Sequence, residues 1–119
     1  MPDLHFAPVL VGQTVSRAEV VAGLAQGAGA LLLERCVLDG EDLSRLDLRG
    51  ARWVGCSMVG ASFERSTLTQ SHWQDCKAGQ ANFHLCDLSD AQFVGCDLNN
   101  TSWLRAQMSS VRFEGVKLT

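Results

Sequence analysis

Residues 71–100 read SHWQD CKAGQ ANFHL CDLSD AQFVG CDLNN, six blocks of five in which the first residue is small and the third is large and apolar in all but one. Working outward, the third positions run unbroken from Leu38 through Leu43, Leu48, Trp53, Met58, Phe63, Leu68, Trp73, Ala78, Phe83, Leu88, Phe93, Leu98, Trp103, Met108 and Phe113 to Leu118. Sixteen of these seventeen are Leu, Met, Phe or Trp, and they include every Trp of the chain and four of its five Phe. Two residues earlier the side chain is small everywhere except at Glu41 and Leu46. The intervening positions are mostly polar or Gly, with Asp47, Ser57, Asn82, Asp87 and Asp97 facing outward and Gly40, Gly50, Gly55, Gly60, Gly95 and Gly115 at corners.

A helix advancing ~100° per residue, or a strand alternating at two, would scatter a five-residue period around the element. The chain must instead change direction every five residues. A second period says how it closes: Cys36, Cys56, Cys76 and Cys96 are twenty apart, as are Trp53, Trp73, Phe93 and Phe113, and Phe63, Phe83 and Trp103. Four blocks therefore make one coil, and equivalent residues of successive coils stack. That is an all-β, square-sectioned solenoid. Rings stacked at the strand spacing of roughly 4.8 Å fall within the ~4.5–7 Å range in which aromatic pairs attract. Ala78 leaves one central position thin, and flexible Met58 in the same column is suited to fill it.

The small-polar-large-x-x pattern over Cys36–Thr119 resembles the pentapeptide-repeat family. The resemblance implies a right-handed quadrilateral β-helix, with the central Leu or Phe and the small residue before it inside.

Residues 1–30 have a different composition and read as an N-terminal cap, with the solenoid over 31–119. Ser16 and Glu19 form a capping box and Val15 with Val20 a hydrophobic staple, which predicts a short helix over Arg17–Gln26 stopped by Gly27 and Gly29. Its face Val20, Val21, Leu24 and Ala25 is expected to cover the open end of the column. At the other end Leu118 is still a repeat centre. The last coil therefore reads as truncated, or as an edge covered by another chain or by end-to-end self-association.

Of 119 residues, 46% are apolar, 19% charged and only 2 are Pro, which excludes a disordered or collagen-like chain. The net charge of −3 excludes the large basic field of a nucleic-acid binder, so no direct nucleic-acid binding is expected. No apolar run reaches the ~18 residues of a membrane helix, and the N-terminus lacks the basic start of a secretory signal. The cytoplasm is the expected compartment, or delivery from it by a secretion system.

Five cysteines without a CxxC, four of them in one inward column, read as small apolar fillers, and no metal or cofactor is expected. His72 and His84 fall on opposite faces, and no Ser-His-Asp or Cys-His set forms. The chain therefore reads as no enzyme.

Sorting charges by face is the most informative step the repeat allows. The Leu43 face sets Glu41, Asp42 and Glu64 against Arg45, Arg65 and Arg105, net zero; the Leu48 face sets Asp47, Asp87 and Asp90 against Arg49, net −2; the other two are neutral. The family resemblance implies two functions. Some members protect DNA gyrase by resembling duplex DNA in shape and negative charge, but here the acidic face is weak and interrupted. The preferred reading is a non-catalytic protein-binding or scaffolding module of a bacterial protein, a role the family also plays as a module of secreted effectors or their adaptors. A DNA-mimicking modulator of gyrase is the alternative. Arg65, His84, Leu85, Leu104 and Arg105 form the expected protein-binding patch, because exposed leucines beside arginines make the mixed surface that interfaces use.

Overall fold

A computed structural model describes residues 6–26 and 30–119. The chain is a parallel β-solenoid of about five turns. One face carries a six-stranded parallel sheet in sequence order: β1 (Phe6–Val11), β2 (Ala30–Glu34), β3 (Arg52–Val54), β4 (His72–Gln74), β5 (Gln92–Val94) and β6 (Arg112–Glu114). The other three faces are held by parallel bridges that repeat at twenty residues, such as Val37 to Ser57 to Lys77 to Asp97. Each coil donates to the next and accepts from it: Leu38 N–H donates to Ser57 O at 2.7 Å, and Ser57 N–H to Cys36 O at 2.9 Å.

Every fifth residue from Arg35 to Gly115 has positive φ, between 53° and 70°. This left-handed conformation turns the corner, and it disfavours any residue with a Cβ. Gly occupies six of these corners, but Arg45, Arg65, Leu85 and Arg105 share one column of them. The residue before each repeat centre often braces the corner. Asn82 Oδ1 accepts from His84 N–H at 2.8 Å, and Asp87 Oδ1 from Ser89 N–H at 3.1 Å.

Inside, Trp53, Trp73, Phe93 and Phe113 stack with centroids 4.9, 5.2 and 5.4 Å apart, and Phe63, Phe83 and Trp103 at 5.3 and 4.5 Å. The two columns meet edge to face. Met58, Ala78 and Leu98 are all buried, and in the last coil Phe113 and Leu118 are exposed.

The N-terminal end adds a strand to the expected short helix. Strand β1 pairs parallel with β2, Leu10 opposite Leu33, and Thr14 bridges Val37. The offset here is 23 residues instead of the 20 that links Trp53 to Trp73. Leu10–Val15 thus lays down two sides of an additional coil, and the helix α1 (Arg17–Ala25) takes the place of the remaining turns. The capping box is present: Ser16 Oγ accepts from Glu19 N–H at 3.3 Å, and Glu19 Oε1 accepts from Ser16 N–H at 3.0 Å. The buried face of α1 differs from the expected one. Val20 and Gly23 are buried and Leu24 is half-buried, whereas Val21 and Ala25 are exposed. Gly23 packs on Leu31, whose Cδ2 lies 3.0 Å from where a Cβ would stand. A large side chain at Leu31, where the repeat is otherwise small, fills the space under the helix. The helix ends at Ala25, with Gln26 as C-cap. The expected stops Gly27 and Gly29 lie outside the described residues.

Candidate binding surface

The five residues of the expected patch come from two adjacent columns at one corner. Glu64, His84 and Leu104 form one column, and Arg45, Arg65, Leu85 and Arg105 the next. Coil-to-coil bonds from Arg65 N–H to His84 O and from Leu85 N–H to Leu104 O, both 2.9 Å, lock them side by side. The structure therefore brings Arg65, His84, Leu85, Leu104 and Arg105 together on one edge. Leu104 is the most exposed large apolar residue described, at 63%, and Leu85 is 37% exposed.

Leu85 is unfavourable for the fold twice over. Its φ is +60°, a conformation that costs an L-residue roughly 1–2 kcal/mol, and more than a third of it stays exposed where full burial would have been worth more.

The electrostatics of this edge differ from the count by sequence. Glu41, one of the two exceptions in the small column, is half-buried beneath α1, and its Oε1 accepts from Arg17 N–H at 2.8 Å. The Arg17 guanidinium donates to Asp42 O at 2.7 Å and Ser44 O at 3.0 Å, and lies 3.5 Å from the Asp42 carboxylate. Hydrogen bonds from Ser44, aided by Arg17, hold the Asp42 carboxyl below its usual range. Two of the three carboxylates that balanced the arginines are thus engaged by the helix. Arg45 also lies near enough to Asp42 to help lower its carboxyl, Glu64 reaches Arg65 Nε only at 3.8 Å, and Arg105 has no ion pair among the described residues. With Arg17 brought onto this edge, four arginines face three carboxylates, a formal +1 on a protein of net −3.

The acidic face thins in the same way. Arg49 donates to Asp47 through Nε at 2.9 Å and Nη2 at 2.8 Å, and this pairing lowers the Asp47 carboxyl from its ordinary value. Beside Asp87, the neighbouring coils present Thr67 and Gln107. Only Asp87 and Asp90 remain uncompensated by a close cation among the described residues.

The cysteines do more than fill space. Cys56, Cys76, Cys96 and Cys86 donate Sγ–H to Leu33 O, Trp53 O, Trp73 O and Phe63 O of the preceding coil at 2.6–3.3 Å. Ser66 Oγ, in the Cys86 column, makes the same bond to Leu43 O at 2.6 Å. Burial pushes the Cys86 thiol up to about 12, and the neighbouring Cys56 and Cys96 thiols together with burial push Cys76 up as well. Among the described residues no group of three His, Cys, Asp or Glu is placed to hold a metal.

His72 lies on β4, away from His84, and burial with nearby Arg52 lowers its pKa. It lines a shallow groove of about 370 Å³ on the outer face of the sheet, with Glu34, Arg52, Val54, Gln74 and Val94. The sequence reading did not anticipate this groove. Its signal was the pair of outward columns flanking Trp53 and Trp73. No helix among the described residues is long and apolar enough to cross a membrane.

Comparison with known proteins gives the same architecture. A pentapeptide repeat protein of the Arabidopsis thaliana thylakoid lumen is 20% identical, with 84% of this chain and 61% of that protein aligned at a TM-score of 0.66. HetL, a pentapeptide repeat protein involved in heterocyst differentiation regulation in the cyanobacterium Nostoc, is 19% identical over 90% of this chain and 54% of its own, at 0.57. The chain thus spans less than two thirds of either. QnrB1, a plasmid-mediated fluoroquinolone resistance protein, is 17% identical over 97% of this chain and 72% of its own, but its TM-score of 0.35 is too low to carry an argument. No curated protein matches the sequence. The family profile described as pentapeptide repeat region matches residues 32–103 and 47–119, which together cover most of the chain. The five-residue period, the stacked coils and this match agree, and the chain belongs to the pentapeptide repeat family.

Proposed function

We propose that this chain is a non-catalytic protein-binding or scaffolding module of a bacterial protein, docking through the edge formed by Arg65, His84, Leu85, Leu104 and Arg105. The observation that carries the reading is the adjacent pair of Leu85, 37% exposed at a left-handed corner, and Leu104, 63% exposed. A contact outside the chain accounts for two exposed leucines side by side on one edge. The edge suits the task because its backbone is already fixed by coil-to-coil hydrogen bonds, so little ordering accompanies binding.

The gyrase-modulator reading has less support, because Asp47 is paired with Arg49 and the acidic face shrinks to Asp87 and Asp90. One experiment separates the two. A photo-crosslinker placed at position 102, beside the edge, is expected to capture a protein that, once identified and purified, binds the wild-type chain. Leu85→Glu or Leu104→Glu is expected to weaken that binding at least a hundredfold, since a new charge in a desolvated interface is costly and on a free surface nearly neutral. Unchanged affinity in both variants would overturn the reading. Inhibition of gyrase supercoiling that disappears with Asp87→Lys and Asp90→Lys would establish the alternative.

A further inference from the structure

The edge has a spacing as well as a composition. Arg45, Arg65, Leu85 and Arg105 stand one above another along the solenoid axis, one per coil. The coil rise equals the distance between paired strands, about 4.8 Å. Arg65 and Arg105 are thus about 9.6 Å apart, with Leu85 midway between them. A partner that satisfies all three must present carboxylate, apolar group and carboxylate at nearly the same interval.

An α-helix lying parallel to the axis does so. One turn rises about 5.4 Å, so side chains two turns apart on one face are separated by about 10.8 Å. The mismatch of about 1 Å over two coils is within the reach of an arginine side chain. An extended strand repeats a face every ~6.7 Å, which places its second same-face residue beyond Leu85 and its third well past Arg105. Spacing therefore favours a helix.

Charge selects its composition. Among the described residues Arg105 has no ion pair, and Arg65 has only the 3.8 Å approach of Glu64 to Nε. The guanidinium groups are available for charge-assisted bonds to carboxylates. Leu85 and Leu104, side by side, offer an apolar contact at the centre. Uninterrupted phosphate backbone would leave both leucines against a polyanion, which makes nucleic acid the poorer occupant.

We propose that this edge recognises an acidic amphipathic helix of a partner protein, laid along the solenoid with one helical turn per coil. Its carboxylates meet Arg65 and Arg105, and an apolar residue between them packs on Leu85 and Leu104. The proposal rests on the protein-binding reading and specifies the chemistry of the partner.

The test uses the full chain and two fluorescent helical peptides of identical composition, followed by anisotropy. In the first, glutamates one turn before and one turn after a leucine share its face. In the second, the same glutamates lie on the opposite face. Expected is at least tenfold tighter binding of the first peptide, weakening as salt is raised. Arg65→Glu and Arg105→Glu should each lose at least tenfold, with melting temperatures unchanged because both side chains are exposed. Leu85→Gly should lose binding while the melting temperature holds or rises, which separates lost contact from lost folding. No binding, equal affinity for the two peptides, or tighter binding of a duplex DNA of the same length would overturn the proposal. Loss of the crosslinked partner in Leu85→Glu together with indifference to the peptide register would sink the helix and leave the protein-binding reading standing.

Discussion

Three tryptophans occupy equivalent inward positions, but their indole N–H groups fare differently. Trp73 Nε1–H donates to Ser71 Oγ at 2.8 Å and Trp103 Nε1–H to Thr101 Oγ1 at 2.7 Å, while each hydroxyl donates onward to a carbonyl, Leu68 O at 2.7 Å and Leu98 O at 2.8 Å. Trp53 stacks on Trp73 at 4.9 Å with an interplanar angle of 13°, so its N–H aims at the equivalent place. Ala51 stands there, and Trp53 Nε1 has no acceptor among the described residues. Ala51→Ser is therefore expected to stabilise. The new hydroxyl accepts from Trp53 and donates to Leu48 O, as Ser71 does one coil on. Relieving an orphaned buried donor is worth about 1–3 kcal/mol, and burying the hydroxyl offsets part of it, leaving a net gain of about 1 kcal/mol. For a domain of this size that is a rise of roughly 3–6 °C in melting temperature. Ser71→Ala should lose about 1–3 kcal/mol by creating the same orphan at Trp73. Urea unfolding followed by tryptophan emission, with calorimetry for the melting temperature, measures both. If Ser71→Ala is neutral, the indole bond has no value here. If Ser71→Ala destabilises and Ala51→Ser fails to stabilise, the first coil is not equivalent to the second and the reasoning fails.

Phe83→Ala should cost about 3–5 kcal/mol, because Phe63 and Trp103 stacked on either side cannot close the cavity, whereas Asn82→Ala loses only the bond to His84 N–H and should cost about 1 kcal/mol; equal losses in urea melts would contradict the inside–outside assignment. Leu85→Gly should raise stability by about 0.5–1 kcal/mol, since glycine adopts the left-handed corner without steric cost, and a lower melting temperature would show that Leu85 packs on its own chain. The thiols should react with Ellman's reagent only on unfolding. Because the Cys86 pKa is raised in the folded chain, stability should be constant below the unfolded thiol range near 9 and fall as pH rises from there to about 12, and Cys86→Ser, which keeps the donor to Phe63 O, should remove part of that alkaline slope.

The periodic part of this protein was legible because the same packing problem recurs in every coil. Trp53, Trp73, Phe93 and Phe113 each fill the same side of the same square, so a repeat of twenty in the sequence is a stack in space. Where the problem stops recurring, the pattern stops with it. Leu33 continues the Trp53 column, but the large Leu31 two residues earlier hides it, since Leu31 packs against Gly23 of the helix and not beneath another coil. Strand β1 was missed because its offset of 23 breaks the register, and only the insertion of α1 between coil and coil explains that offset.

The candidate edge divides in the same way. That Arg65, Leu85 and Arg105 share a column followed from their spacing alone, and so did the neighbouring column of His84 and Leu104. Its charge did not follow. Counting residues made the edge neutral, because a count treats each carboxylate as belonging to the face on which its position falls. Tertiary structure turns Glu41 beneath α1 and Asp42 toward Arg17, and by bringing Arg17 onto the edge puts the arginines one ahead of the carboxylates. The repeat determines position, which depends only on backbone geometry. The partner that a long charged side chain takes depends on whatever non-repeating element lies within its reach.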